Sequence, residues 1–286
     1  MLSKIFYSAL ALAAAAQAQN CTLQFEGRVP AGSTPQSFDV ATSNFNPSNV
    51  FGKNLTWGKI IELPAITPSL FDAKAGTVPL AITLSDESIF APSATNVQTG
   101  FRRAELLPAS NNGTDPSTTG VKTLHFSLQK DAARPFNLSH EYQMVFLESA
   151  DFSTNQFVLK TGNISGVTGD PDNLVLQSNV KNATTLFSTP FTADTWHNFA
   201  VVLDFDANTT QVLYSTNNDA LTAVTEALAN DISGQGQYHF GALKKPTGEG
   251  LTDVTKQGFQ ESGIAEALFY GGIFMEDSSC GCVTLS

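Results

Sequence analysis

The chain has 286 residues, only 14% of them charged, and a formal net charge of −11. So acidic a balance argues against nucleic acid and anionic membrane surfaces as partners, and more weakly against polyuronates, leaving a neutral polymer as the best-fitting substrate. No stretch reaches the ~18 apolar residues of a spanning helix.

The N-terminus reads as a signal peptide over residues 1–18: Lys4, an apolar run from Ile5 to Ala16, and the small-x-small site Ala16-Gln17-Ala18. A secreted, extracellular protein is therefore expected, with residues 19–286 as one domain. Asn-x-Ser/Thr acceptors at Asn20, Asn54, Asn112, Asn137, Asn163, Asn182 and Asn208 agree with glycosylation on that route. Cysteines occur at the extremes, Cys21, Cys280 and Cys282. In an oxidising compartment Cys21 would bond Cys280 or Cys282, provided both chain ends lie on adjacent strands.

Further along, periodicity predicts strands. Leu80–Leu84 comes first, followed by Gly100-Phe101-Arg102-Arg103-Ala104-Glu105-Leu106, where Arg103 and Glu105 share a face. Thr123–Gln129 alternates strictly, with His125, Ser127 and Gln129 opposite Leu124, Phe126 and Leu128. In His140–Phe146, Glu141 and Gln143 share one face, and Tyr142, Met144 and Phe146 the other. Gln156–Lys160, Leu174–Gln177, Asn198–Phe205, Gln211–Ser215, Tyr238–Leu243 and Ala265–Met275 complete the set, separated by Asn/Gly/Asp/Pro turns. A short helix is expected over Asp219–Ala229 and one helical turn over Pro68–Ala73. So many short strands predict an all-β fold, a jelly roll or two-sheet sandwich with an open substrate cleft.

Two strand glutamates, each beside a polar neighbour, are what acid/base cleavage of a glycosidic bond requires. Arg103 would keep Glu105 ionised as the base. Glu141, with no cation within two residues on its face, would rise in pKa and act as the acid. His125 and His239 fall on polar strand faces and would line a groove, while His140 and His197 read as structural. No histidine spacing matches a metal site, no Gly-x-Ser-x-Gly elbow occurs, and Asp204 and Asp206 read as a solvated strand end rather than calcium ligands. Neither a metal nor another cofactor is expected.

Seven ordered blocks, among them Gly-Phe-Arg-Arg-Ala-Glu-Leu (100–106), His-Glu-Tyr-Gln (140–143), Tyr-His-Phe-Gly-Ala-Leu-Lys (238–244) and Gln-Glu-Ser-Gly-Ile-Ala-Glu-Ala-Leu-Phe-Tyr-Gly-Gly-Ile-Phe (260–274), resemble glycoside hydrolase family 131, secreted fungal β-glucanases. The resemblance runs from about Leu23 to Glu276. It implies a β-jelly-roll catalytic domain acting on β-1,3-, β-1,6- and β-1,4-linked glucans with inversion. It also implies that Glu105 and Glu141 are the catalytic pair, with Arg103, Gln143 and His239 lining the cleft. The chain through Ser286 contains no linker and cellulose-binding module, so tight binding to crystalline cellulose is not expected. A monomer is expected. The competing readings are a polysaccharide lyase, with Tyr142 or a histidine as base, and a non-catalytic carbohydrate-binding protein.

Overall fold

The computed structural model describes residues 21–48 and 50–286. The signal peptide expected over 1–18 and the Asn20 acceptor lie outside the described residues. The longer strands are β1 (Thr22–Glu26), β2 (Leu80–Ser85), β3 (Arg102–Leu106), β4 (Val121–Lys130), β5 (Glu141–Glu148), β6 (Asn155–Gly162), β7 (Asn173–Gln177), β8 (Thr185–Pro190), β9 (His197–Asp204), β10 (Thr209–Thr216), β11 (Gln237–Lys244) and β12 (Ala265–Asp277).

They build two antiparallel sheets. One is six-stranded, in the order β8-β7-β6-β5-β11-β3; the other is nine-stranded, with β10-β9-β4-β12-β2 at its centre. The 13-residue β12 is long enough to take β4 along one edge and β2 then β1 along the other. Apolar side chains from alternate positions of both sheets form the common core: Leu124, Phe126 and Leu128 of β4 with Tyr142, Met144 and Leu147 of β5 and Phe240 of β11. This is the expected all-β jelly-roll sandwich.

The two outer faces differ. That of the nine-stranded sheet carries a second apolar cluster, Ala200, Leu213 and Phe274, covered by Leu70 and Phe71 of helix α1 (Leu70–Ala75). Ser69 caps that helix by accepting from the Asp72 N–H, and Gly76 ends it at φ 70°. The helical turn expected at Pro68–Ala73 is thus present and extends two residues further. The helix expected over Asp219–Ala229 is absent. That segment is extended and contributes two-residue strands at Thr222–Ala223 and Leu228–Ala229 along β10. Its β-branched Thr222, Val224 and Thr225 favour the ladder, and the Thr225 hydroxyl accepts from the Val212 N–H.

The chain ends meet as the cysteine argument required. β1 pairs with the end of β12 (Thr22 opposite Asp277), and a disulfide joins Cys21 to Cys282 across a Cα separation of 5.6 Å. Cys280 is exposed and unpaired. Because the bond closes a loop spanning 261 residues, Cys21→Ser should lower unfolding free energy by about 2–5 kcal/mol. Cys280→Ser should change it by less than about 0.5 kcal/mol. Urea unfolding of both variants under non-reducing conditions checks this.

Candidate active site

Strand alternation sends Arg103 and Glu105 of β3, His239 and Leu243 of β11, Glu141 and Gln143 of β5, and Lys160 of β6 to the outer face of the six-stranded sheet. Their strand neighbours Ala104, Phe240, Ala242, Tyr142 and Leu159 enter the core. Arg103, Leu243, Gln143 and Lys160 lie directly opposite one another, forming one row across four strands. Glu105 faces Gly241, where an added Cβ would lie 2.0 Å from the Ala104 carbonyl, so only glycine fits that close approach.

Asn155 pairs with Glu148 at the far end of β5, yet its Nδ2 donates to Gln143 Oε1 at 3.0 Å, reaching over the intervening residues.

Glu105 is completely buried. Arg103 grips it with two parallel bonds, Nε to Oε1 at 2.7 Å and Nη2 to Oε2 at 2.6 Å, and His239 Nδ1 lies 2.7 Å from Oε2. Burial alone would raise the pKa of this carboxyl, but the Arg103 charge and then His239 outweigh burial and lower it to about 2. Burial likewise works to lower His239, yet Glu105 and Glu148 overcome it and the net shift is upward. Its ring stacks on Phe146 at 4.3 Å, and its Nε2, 3.5 Å from Glu148 Oε2, has no hydrogen-bond partner.

Glu141 departs from expectation. Two ammonium groups reach it, Lys245 Nζ at 2.7 Å and Lys160 Nζ at 3.0 Å from Oε1, with Gln143 Nε2 at 3.3 Å. The Ser165 N–H donates to Oε2 at 3.2 Å. Burial works to raise this carboxyl too, but Lys245 and Lys160 bring it to about 2. The expected rise therefore does not occur in the free site. A one-strand reading missed both cations: Lys160 comes from the neighbouring strand and Lys245 from the residue after β11.

A bulge hid two more residues. The pairing of β5 shifts between Gln143 and Val145, so Met144 and Val145 both point inward and Phe146 and Glu148 emerge on the outer face. The expected placement of Phe146 with Tyr142 and Met144 is corrected accordingly. Tyr142 itself is buried, stacked on Phe136, with its hydroxyl donating to Glu266 Oε1 at 2.9 Å.

His125, expected to line the groove, stands on the other sheet. It is fully buried against Phe274 and Phe71, with Nε2 2.8 Å from Glu276 Oε2. Alternation identified its face as polar but could not identify the sheet. Among the described residues no group of three side chains suited to a metal occurs, and Asp204 Oδ1 accepts from the backbone N–H groups of Asp206 and Ala207. Among the same residues no helix is long and apolar enough to cross a membrane. Asn54, Asn112, Asn137, Asn163 and Asn182 are exposed, while Asn208 is half-buried with Oδ1 accepting from the Ile232 N–H.

A sheet face bearing two ion-paired carboxylates is accompanied by a match to the glycoside hydrolase 131 catalytic N-terminal domain over residues 23–281. The chain belongs to glycoside hydrolase family 131. Its fold is that of a family 131 β-glucanase catalytic domain from Podospora anserina, at 24% identity and TM-score 0.70, covering 93% of this chain and 98% of that one. The family 131 catalytic domain from Coprinopsis cinerea is similar at 23% identity and TM-score 0.68, with 93% and 97% covered. No curated protein sequence matches the chain.

The two glutamates make folding acid-sensitive with a definite sign. Their pKa values fall from the ordinary 4.5 to about 2 on folding, so the stability they contribute is present above pH 4.5 and lost as pH falls towards 2. The thermal midpoint of this family 131 domain should drop across that window, and less steeply in Glu141→Gln than in wild type. A pH series of thermal melts checks both.

Proposed function

We propose that the protein is a secreted β-glucanase that hydrolyses β-1,3-, β-1,6- and β-1,4-linked glucans with inversion, Glu105 and Glu141 being the catalytic pair. One observation carries the reading: in a family 131 catalytic domain, two buried carboxylates occupy one sheet face with a single strand between them. Two strand spacings separate them by about 10 Å laterally, and a four-residue offset along β11, from Gly241 opposite Glu105 to Lys245 opposite Glu141, separates their backbones further. So wide a backbone separation favours the longer carboxyl spacing of inverting enzymes, roughly 6.5–9.5 Å, over the roughly 5–5.5 Å of retaining ones.

The partners of each carboxylate support the roles. Arg103 and His239 are buried beside Glu105, where a sugar cannot displace them, so Glu105 stays ionised and activates water. Lys245 is 29% exposed. A glucan chain entering the cleft displaces its Nζ and excludes water, burial then dominates, and Glu141 takes up the proton it delivers to the leaving oxygen. Arg103 and Gln143 contact sugar hydroxyls, and no cofactor takes part.

The enzyme works as a monomeric single domain. The leader sequence, the exposed acceptor asparagines and a disulfide of the kind that persists in oxidising compartments support secretion and glycosylation. The lyase alternative loses its tyrosine base, since the Tyr142 hydroxyl faces away from the cleft.

Glu105→Gln and Glu141→Gln should each reduce kcat about 10²- to 10⁴-fold. Glu105→Gln should also cost about 3 kcal/mol of stability, because Arg103 and His239 lose their counter-charge. Reducing-end release from laminarin, a β-1,6-glucan and cello-oligosaccharides, with circular dichroism to confirm folding, reads both effects. Proton NMR of the first products gives the anomer. Near-normal turnover in either variant, or retained configuration, sinks the assignment. Wild type that binds glucan without releasing new ends indicates a binding protein.

A further inference from the structure

Phe152 is unusual twice over. It is 71% exposed, the most exposed of the large apolar side chains among the described residues, and its backbone is left-handed at φ 58°. A turn position of this kind favours glycine or asparagine, and a bulky residue there carries strain that persists where function requires it.

The strain is held by the turn joining β5 to β6. Ser149 O accepts from the Phe152 N–H at 2.8 Å, the Ser149 N–H donates to Thr154 O at 2.8 Å, and Ala150 N–H is tied to Gly234 O at 3.0 Å. Asp151 Oδ1 accepts from the Ser149 hydroxyl at 2.6 Å and from the Ser153 N–H at 3.1 Å. These bonds fix the backbone from which the Phe152 ring projects.

The turn adjoins the site. Phe152 lines a pocket of about 150 Å³ together with Asn112, Thr114, Glu148, Ser149 and Gln237. The Glu148 carboxylate stands 3.5 Å from His239 Nε2, a buried atom with no hydrogen-bond partner, and His239 in turn holds Glu105. The pocket therefore continues the polar stripe beyond Glu105, at the end away from Glu141.

We propose that this pocket is a sugar subsite and that Phe152 is its platform. One wall is an apolar plate, and the others are amides, hydroxyls and a carboxylate. A hexopyranosyl ring has the complementary form, with an apolar C–H face and a rim of hydroxyls. The ring stacks its C–H face on Phe152, and its hydroxyls donate to Glu148 and bond the amides of Asn112 and Gln237. The volume suits one such unit. Glucan chains long enough to reach past the reacting bond gain this contact, and shorter ones do not. The inference rests on the glucan reading of the adjoining cleft.

The test compares wild type, Phe152→Ala and Phe152→Trp on cello- and laminari-oligosaccharides of increasing length. All proteins are made without N-glycans by secretion into a bacterial periplasm, since Asn112 is both an acceptor asparagine and a wall of the pocket. Phe152→Ala should lower kcat/KM about five- to tenfold for chains above a threshold length and leave shorter ones unchanged. Phe152→Trp should restore the longer chains, and its exposed indole should change fluorescence as they bind. Equal loss at every length, or none at any, overturns the subsite, as does an indole blind to oligosaccharides that wild type hydrolyses. If wild type releases no ends from any glucan, the hydrolase reading fails on its own, and the Phe152→Trp titration still reports on the subsite.

Discussion

Everything on the outer face of the six-stranded sheet depends on one electrostatic requirement: a carboxylate removed from water must be neutralised where it stands. Glu105 has no exposed surface at all, yet it remains an anion because Arg103 supplies two parallel charge-assisted bonds and His239 a third contact. The geometry around it serves that clamp. Two-residue spacing on β3 puts the guanidinium and the carboxylate on one face, and glycine at position 241 lets β11 come close enough for His239 to reach across.

The division of labour between the two outer faces follows from what covers them. On the nine-stranded sheet, α1 lies over Phe274 and His125, while the C-terminal segment is fastened by the Cys21–Cys282 disulfide and by Thr284, whose N–H donates to Glu276 Oε2 at 3.0 Å. His125 and Glu276 are consequently a buried structural pair. On the six-stranded sheet the polar row is buried as well, but its two carboxylates are held by cations rather than sealed beneath an apolar helix. Polar strand faces occur on both sheets, so what assigns function to one of them is the covering, a tertiary property.

This explains which parts were legible in sequence. Arg103 with Glu105, and Glu141 with Gln143, are two-residue neighbours, and alternation within one strand suffices to pair them. The sandwich was legible for the same reason, since Leu124, Phe126 and Leu128 declare a buried face locally. Reasoning failed wherever the answer lay on another strand or in a broken alternation. Lys160 meets Glu141 through strand pairing, Lys245 arrives after β11 ends, and the bulge at Met144–Val145 turns Phe146 and Glu148 outward against the running pattern. The Asp219–Ala229 segment had a helical spacing of apolar residues, but the open edge of β10 and three β-branched side chains claimed it for the sheet.

The two carboxylates share the same low pKa and differ in how it is held, and on the proposed mechanism that difference sets their roles. The clamp on Glu105 is internal to the sheet and stays in place when a ligand binds. The clamp on Glu141 is half provided by Lys245, whose side chain reaches towards solvent while its backbone is fixed: the Lys245 carbonyl accepts from His140 Nδ1 at 2.7 Å, and the neighbouring Lys244 ammonium is buried against Glu266 at 2.6 Å. Binding can therefore move the Lys245 ammonium without moving the strand. Removing one of two cations from a buried carboxylate while taking away the remaining water shifts both large contributions in the same direction, towards the protonated form. On that mechanism Glu141 becomes an acid only when substrate is present, and Lys160, itself depressed in pKa by burial, is the one cation left to oppose it.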